Sequence, residues 1–438
     1  MALSSRVNSF PNDGVNNGWY NTLPEPPLAR ELIGTLTFDW AIVGAGICGL
    51  SVARRLAELR PSDSIAVIDA MRVGYGTSGR NAGFMLSHHS HGGVADLDIG
   101  RRNDRLLSAG YETLRTIVRD NQIRCDWNEW GQVYVSVASE GETRLAAVAK
   151  SFAALDVDFE HLDRDQLQHM TGTRFYSGAI RVGDSALVQP AALMRGLAHT
   201  LPANVCLLEN SPVQELHAED RYRLVCPSGE LTAKKLILTN NVFAEEFGVA
   251  RRQVVPMATY ASLTRTLSPR ELRGLGEEGE FGLLPASQNG STVRRTADGR
   301  LLMRNTLSYA RENAFAKEWI REVETHHRDS VRRRWPALGE VDFIATWGGI
   351  LGFTRNEGTV FGEVADGLYV TLSTDTAPMT RGTIMGKLLA EQIGGVQSEE
   401  LRLLESVPKA TRLPPEFILR FVANRRIKKF EKVGAQER

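Results

Sequence analysis

The residues best suited to chemistry begin at Gly44-Ala45-Gly46-Ile47-Cys48-Gly49. Such a glycine pattern takes its meaning from its neighbours. It follows a short apolar run at 39–43 and opens residues 50–59, whose apolar positions recur at helical spacing. A second apolar run, 64–69, ends in Asp69, 20 residues after Gly49. Strand, turn, helix, strand is a βαβ unit, and each glycine in its turn has a task. Gly44 permits the tight turn, Gly46 lets the backbone approach a pyrophosphate, and Gly49 lets helix and sheet pack closely. The helix N-terminus offers free N–H groups and a partial positive charge to phosphates. Asp69 stands where it can accept hydrogen bonds from ribose hydroxyls.

This fingerprint alone does not separate a nicotinamide from a flavin dinucleotide. The next segment extends it: Val73-Gly74-Tyr75-Gly76-Thr77-Ser78-Gly79-Arg80-Asn81-Ala82-Gly83. A glycine-rich loop bearing a hydroxyl, a guanidinium and an amide can wrap an extended anionic cofactor, donating from backbone N–H groups and from Arg80.

The elements that must hold these loops follow from the rest of the chain. Residues 1–37 read as an irregular leader, because Pro24, Pro26 and Pro27 interrupt regular structure, with Trp19 and Tyr20 as its anchors. Helices are expected at 105–118, at 185–199 after Gln189-Pro190, at 314–334 with three arginines at its end, and at 378–393 with proline in its first turn. Strands are expected at 131–137, within 211–239, at 299–304 and at 367–372. Residues 268–282 are charged and glycine-rich, as in a surface excursion. The tail from Glu416 is apolar (Phe417, Ile418, Phe421, Val422), then basic (Arg425, Arg426, Lys428, Lys429, Lys432). It reads as an interfacial membrane helix, as a docking helix that would make the protein an oligomer, or as a terminal helix packed on its own domain.

Composition narrows the field. The 438 residues suffice for two or three domain-sized units, and 42% hydrophobic with 24% charged residues excludes global disorder. Fifty-two Lys+Arg balance 52 Asp+Glu, so no overall field recruits nucleic acid or an anionic membrane. Four cysteines, Cys48, Cys125, Cys206 and Cys226, lie far apart without metal-ligand spacing. That speaks against a disulfide scaffold and a metal site and fits a reducing compartment. The leader has no secretory apolar core, and the apolar stretch 41–53 is about half the roughly 20 residues of a membrane span. A cytoplasmic protein without a transmembrane segment is expected.

The order of leader, dinucleotide unit and residues 72–83 resembles the D-amino-acid-oxidase superfamily of FAD-dependent oxidoreductases. The closest look is to its gamma-glutamylputrescine oxidase type, with glycine and sarcosine oxidases as relatives. The likeness runs from about Trp19 to Ile393, and residues 184–190, 211–213, 235–241, 346–355 and 367–393 carry it further. The resemblance implies an α/β fold (α+β overall), a Rossmann-like FAD-binding domain interleaved with a mixed-sheet substrate domain. Residues 38–95, 183–243 and 345–400 would bind FAD, 96–182 and 244–344 would cap it, and 401–438 would form a helical basic tail. Gly44, Gly46, Gly49 and Asp69 would hold the ADP half, and Val213 the adenine through its backbone. Ser78, Arg80, Asn81, Gly83, Gly349, Asp375 and Thr376 would line the pyrophosphate and flavin side. No cysteine follows Cys226, so FAD should be noncovalent.

Two stretches depart from the family. Its last strand usually runs into a glycine-rich loop whose backbone donors face the flavin; here stand Ser373-Thr374-Asp375-Thr376-Ala377-Pro378-Met379. Pro378 has no N–H, and a carboxylate at Asp375 would disfavour an anionic reduced flavin. Relatives tend to have glycine where Arg304 stands. Arg304 either points inward and clamps a substrate carboxylate or pairs on the surface. Trp347 is either an apolar wall near the ring or plain core, and His89, in the cluster His88, His89, His91, either faces the flavin or is a polar loop residue. These three are the catalytic candidates. The implied activity is hydride transfer from the carbon beside an amine or amino-acid nitrogen to flavin N5, with imine hydrolysis and reoxidation by O2. The alternatives are a dehydrogenase or imine-forming enzyme with another acceptor, and a non-catalytic flavin-binding subunit.

Overall fold

Two sheets position the site in the computed structural model, which describes residues 4–11, 16–88, 96–287, 289–311, 315–374 and 376–438. Among these residues, nine strands form the first sheet. Its order is Ser4–Arg6, Glu215–Ala218, Tyr222–Cys226, Gly229–Leu238, Gly34–Val43, Ile65–Ile68 and Val205–Leu208. Leu368–Leu372 pairs with the far half of Gly229–Leu238, and Val360–Ala365 lies beyond it. The centre is parallel, and Ile65–Ile68 is buried on both faces, as a β-branched run in a parallel sheet must be. Alternation sorts its side chains. Trp40, Ile42 and Val67 join the core under the helices Ile47–Leu59 and Pro378–Gly394, while Ala41, Val43 and Ala66 join the core on the opposite face.

The second sheet has eight strands among the described residues. Their order is Phe343–Phe353, Val255–Thr264, Leu301–Tyr309, Thr292–Arg295, Phe281–Pro285, Gln132–Ser136, Gly178–Val182 and Phe159–Leu162. All pairings are antiparallel except Phe281–Pro285 with Gln132–Ser136. Leu301 and Met303 pack with Val331 and Trp335 from the helix Lys317–Arg334 and just after it. Leu302 faces the other way, onto Trp19, Ala191 and Trp347 at the dinucleotide unit. The fold class is the α/β arrangement of two interleaved domains implied by the resemblance.

The chain changes sheets at other places than expected. Ser4–Arg6 of the leader pairs with Glu215–Ala218, and Gly18–Asn21 is a short helix whose N-terminal N–H groups are capped by Asn17. The interrupting prolines all come later, so they leave both elements free to form. Phe343–Phe353 belongs to the capping sheet, where it pairs with Val255–Thr264, so residues 345–353 lie outside the dinucleotide sheet. Conversely, Leu97–Asp120 sends Leu106, Tyr111, Leu114 and Val118 into the core under Pro378–Gly394, although it falls in the segment assigned to the substrate domain. Leu275 and Phe281 are buried, so 268–282 is no mere surface excursion. The tail helix Glu416–Gly434 lays Leu419, Ala423 and Ile427 against Tyr309, Val255, Met257 and Leu307 of the capping sheet.

Candidate cofactor cleft and active site

A cleft with about 1510 Å³ of unfilled space, partly open to solvent, starts at the Gly44 turn and runs to Gly349, Ser373 and Pro378. Its glycines fall into two kinds. Gly44 has φ 106°, and a Cβ there would lie 3.1 Å from the Asn240 backbone. A Cβ on Gly49 would lie 1.9 Å from the Gly44 carbonyl oxygen, so only glycine lets the helix start here. Gly46, Gly76 and Gly349 differ. At Gly46 a Cβ would meet only the Ser78 hydroxyl, at 3.1 Å; at Gly76 nothing within 4 Å; at Gly349 only Arg80 and Thr77 side-chain carbons, at 3.5 and 3.7 Å. None of the three has a positive φ. All three line the cleft, so what their missing side chains spare is the cleft itself.

Polar groups close the turn around this space. Asp69 accepts from the N–H groups of Ala45, at 2.7 Å, and Met71, at 2.8 Å, which fixes its carboxylate at the cleft wall. The Ile47 N–H donates to Ser78 Oγ at 3.0 Å, joining helix start and loop. Arg80 donates from Nε to the Tyr75 carbonyl at 2.6 Å and from Nη1 to the Gly348 carbonyl at 3.3 Å, so it ties the loop to the capping sheet. Val213 and Gly349 line the cleft. So does Asn240, whose Oδ1 is buried without a hydrogen-bond partner among the described residues. Cys48 also lies on the wall, and burial pushes its thiol up to about 12.

Other candidates stand behind this wall. Asn81 folds onto its own loop: its side chain donates to the Ser78 carbonyl at 2.6 Å and accepts from the Gly83 N–H at 2.8 Å. Gly83, at φ 82°, is where a Cβ would lie 2.1 Å from Arg294 Nη1. Neither residue lines the cleft, nor does Gly49 or Thr376. Trp347 is fully buried, donates from Nε1 to the Arg80 carbonyl at 2.9 Å and meets Trp19 edge-on, so it is core. His89 and Asp375 lie outside the described residues.

Arg304 points inward. It shares with Leu302, two residues before it, the sheet face turned to the dinucleotide unit, without itself lining the cleft, and its Nη1 donates to Thr292 Oγ1 at 3.3 Å. It ion-pairs with no carboxylate among the described residues, and burial pulls its pKa down to about 10. Two features escaped the sequence reading. The leader contributes Val7, Phe10 and Pro11 to the cleft. Arg294, 1% exposed, pairs with Glu280 at 2.7 Å and donates to the Val188 carbonyl, holding the end of the loop from the capping sheet. Nothing in the short polar strand Thr292-Val293-Arg294-Arg295 announces it.

The family model for FAD-dependent oxidoreductases of the DAO family matches residues 39–392. The chain belongs to the DAO family. It is 26% identical over 404 residues to a probable oxidoreductase OrdL of Rhizobium meliloti, covering 89% of this chain and 90% of that protein. It is 25% identical over 376 residues to gamma-glutamylputrescine oxidoreductase of Escherichia coli, covering 82% and 84%. Among solved structures, glycine oxidase from Geobacillus kaustophilus superposes with a TM-score of 0.72 at 17% identity, over 87% of this chain and all of that one. L-proline dehydrogenase from P. horikoshii gives 0.66 at 14%, over 86% and 100%. The cleft suits this family's cofactor. A glycine-bare strip, a helix N-terminus and the unpartnered Asn240 oxygen are what a long, anionic, hydrogen-bonding molecule needs.

Proposed function

We propose that this DAO-family oxidoreductase uses noncovalent FAD to oxidise a C–N bond of an amine or amino acid, with dioxygen as electron acceptor. The single observation that carries the reading is the open strip of Gly76 and Gly349, continued by Gly46, where a Cβ would meet only the Ser78 hydroxyl. Bound FAD supplies an acceptor, at N5, for the hydride on the carbon beside the substrate nitrogen, and the resulting imine hydrolyses in water. The chain binds and orients. The Gly44–Ile47 turn and Asp69 hold the ADP half, and Val213 and Asn240 the adenosine side. Ser78 and Arg80 brace the loop alongside. The names of the gamma-glutamylputrescine and glycine enzymes support a C–N substrate.

The altered loop is compatible with this chemistry. Pro378 takes the first position of the helix Pro378–Gly394, where a missing N–H removes no intrahelical bond. The helix end, at the cleft wall, still carries its partial positive charge and favours a negative charge developing there. Arg304, inward and without a carboxylate among the described residues, offers a bidentate donor for a substrate carboxylate. Cys48, neutral at pH 7, gives no thiolate for a covalent flavin link. The four free cysteines suit the cytoplasm.

Purified protein should be yellow, and its flavin should bleach anaerobically with members of an amine and amino-acid panel, with peroxide formed in air. Bleaching without peroxide would replace dioxygen by another acceptor. Yellow protein that never bleaches would mean a non-catalytic subunit, and colourless protein that FAD cannot reconstitute would end the flavin reading.

A further inference from the structure

We propose that the outward face of the helix Glu416–Gly434 docks the protein on an anionic membrane surface. The inner face is occupied: Leu419, Ala423 and Ile427 are buried on the capping sheet. The outer face is divided along its length. Phe417, Ile418, Phe421 and Val422 are 75%, 40%, 68% and 51% exposed in the first two turns. Arg425, Lys428, Lys429 and Lys432 are exposed in the turns that follow. At 3.6 residues per turn these eight side chains share about 140° of the circumference, along a helix about 28 Å long. None of the four cations ion-pairs with a carboxylate among the described residues.

Both ends of this helix are fixed, so the face is presented rather than loose. Glu416 accepts from Tyr309 OH at 2.7 Å. Beyond the other end, Arg333 donates to the carbonyls of Ala435, Gln436 and Arg438, and Arg334 to that of Glu437 at 2.6 Å. The Glu437 side chain enters the body and accepts from the Ser287 N–H at 3.0 Å.

The charge is local. Residues 411–434 hold seven Lys and Arg and two Glu, an excess of five positive charges that the rest of a neutral chain balances. An apolar patch beside a cationic one matches a bilayer interface, with acyl boundary below and anionic headgroups around it. A nucleic-acid duplex, its bases already stacked on one another, would leave two exposed phenylalanines without an apolar partner, and a second copy would bring the same cations. No described helix is long and apolar enough to cross a membrane, so the contact is peripheral.

The test is flotation of the full-length protein with vesicles of phosphatidylglycerol and phosphatidylcholine in equal parts, against phosphatidylcholine alone. The protein should float with the first and hardly with the second. Phe417→Ser with Phe421→Ser should abolish flotation. Lys428→Gln with Lys429→Gln should weaken it roughly 25-fold, about fivefold for each charge removed. Raising salt from 0.1 to 1 M, which shortens screening from about 10 to about 3 Å, should weaken it too. All four positions are exposed, so melting temperature and flavin content should not change, and the result is independent of any turnover. Failure of the unaltered protein to float with anionic vesicles, or flotation indifferent to the phenylalanine changes, would overturn the proposal. So would a dimer in solution that Phe417→Ser with Phe421→Ser dissolves, since a second copy would then cover this face.

Discussion

Replacing Arg304 by methionine pits stability against substrate binding. Burial lowers the Arg304 pKa to about 10, and one unit of pKa corresponds to about 1.4 kcal/mol. Keeping the guanidinium charged in the folded chain therefore costs about 3 kcal/mol. A cation whose pKa falls on folding destabilises the fold at every pH below the folded value, and the loss fades as pH rises through about 10. Methionine keeps an unbranched stem and discards the charge. Arg304→Met should thus raise the melting temperature of the ligand-free protein by a few degrees at neutral pH, with the gap closing above pH 10. Catalysis should move the other way. A hydrogen bond to a charged group contributes roughly 1.5–3 kcal/mol, so kcat/KM for a substrate carrying a carboxylate should fall by about tenfold to about 100-fold, mostly through KM. The matching amine without a carboxylate should be unaffected. Thermal unfolding against pH, with anaerobic flavin reduction by an amino acid and by its decarboxylated amine, gives both answers. A lower melting temperature with equal losses on both substrates would make Arg304 a structural residue and remove the carboxylate role.

The two kinds of glycine predict opposite failures. Gly349→Val, in a strand that suits valine, should leave the melting temperature of flavin-free protein unchanged and abolish FAD retention; full retention would mean this strand does not face the cofactor. Gly49→Ala, whose Cβ would sit 1.9 Å from the Gly44 carbonyl oxygen, should prevent the helix start from forming and be recovered as insoluble protein, whereas a normally folded variant would contradict the packing. His327 carries an acid-stability signature. Burial holds its imidazole down to about 3, against 6.5 unfolded, while Ser262 Oγ lies 2.7 Å from Nδ1. Between those values the unfolded chain binds a proton that the folded chain refuses, so stability falls by about 1.4 kcal/mol per pH unit below 6.5. His327→Asn should flatten that slope in urea midpoints measured against pH, and an unchanged slope would assign the acid loss to other groups.

The Gly44–Gly49 turn, its two strands and Asp69 were legible because their causes are local. A positive φ, a buried β-branched run and a helix start act within a few residues. The same holds for Gln189, which caps the helix Pro190–His199 as its Gln-Pro start suggests. The leader was harder. Its strand exists only because Glu215–Ala218, two hundred residues later, offers an edge, and no local pattern announces such a partner. The loop 73–83 was found as a unit but not residue by residue. Whether Asn81 and Gly83 face the cleft depends on Arg294, which arrives from another sheet.

By itself, then, the order of amino acids determined a dinucleotide crossover and the family it belongs to, since backbone dihedrals and strand alternation are written in short stretches of chain. Tertiary structure decided that Phe343–Phe353 joins the capping sheet, that Trp347 is core, and that Arg304 is carried inward while the Phe417 face is turned out. Those outcomes follow from which distant strands pair and in what register, and a shift of one residue would send every side chain to the opposite face.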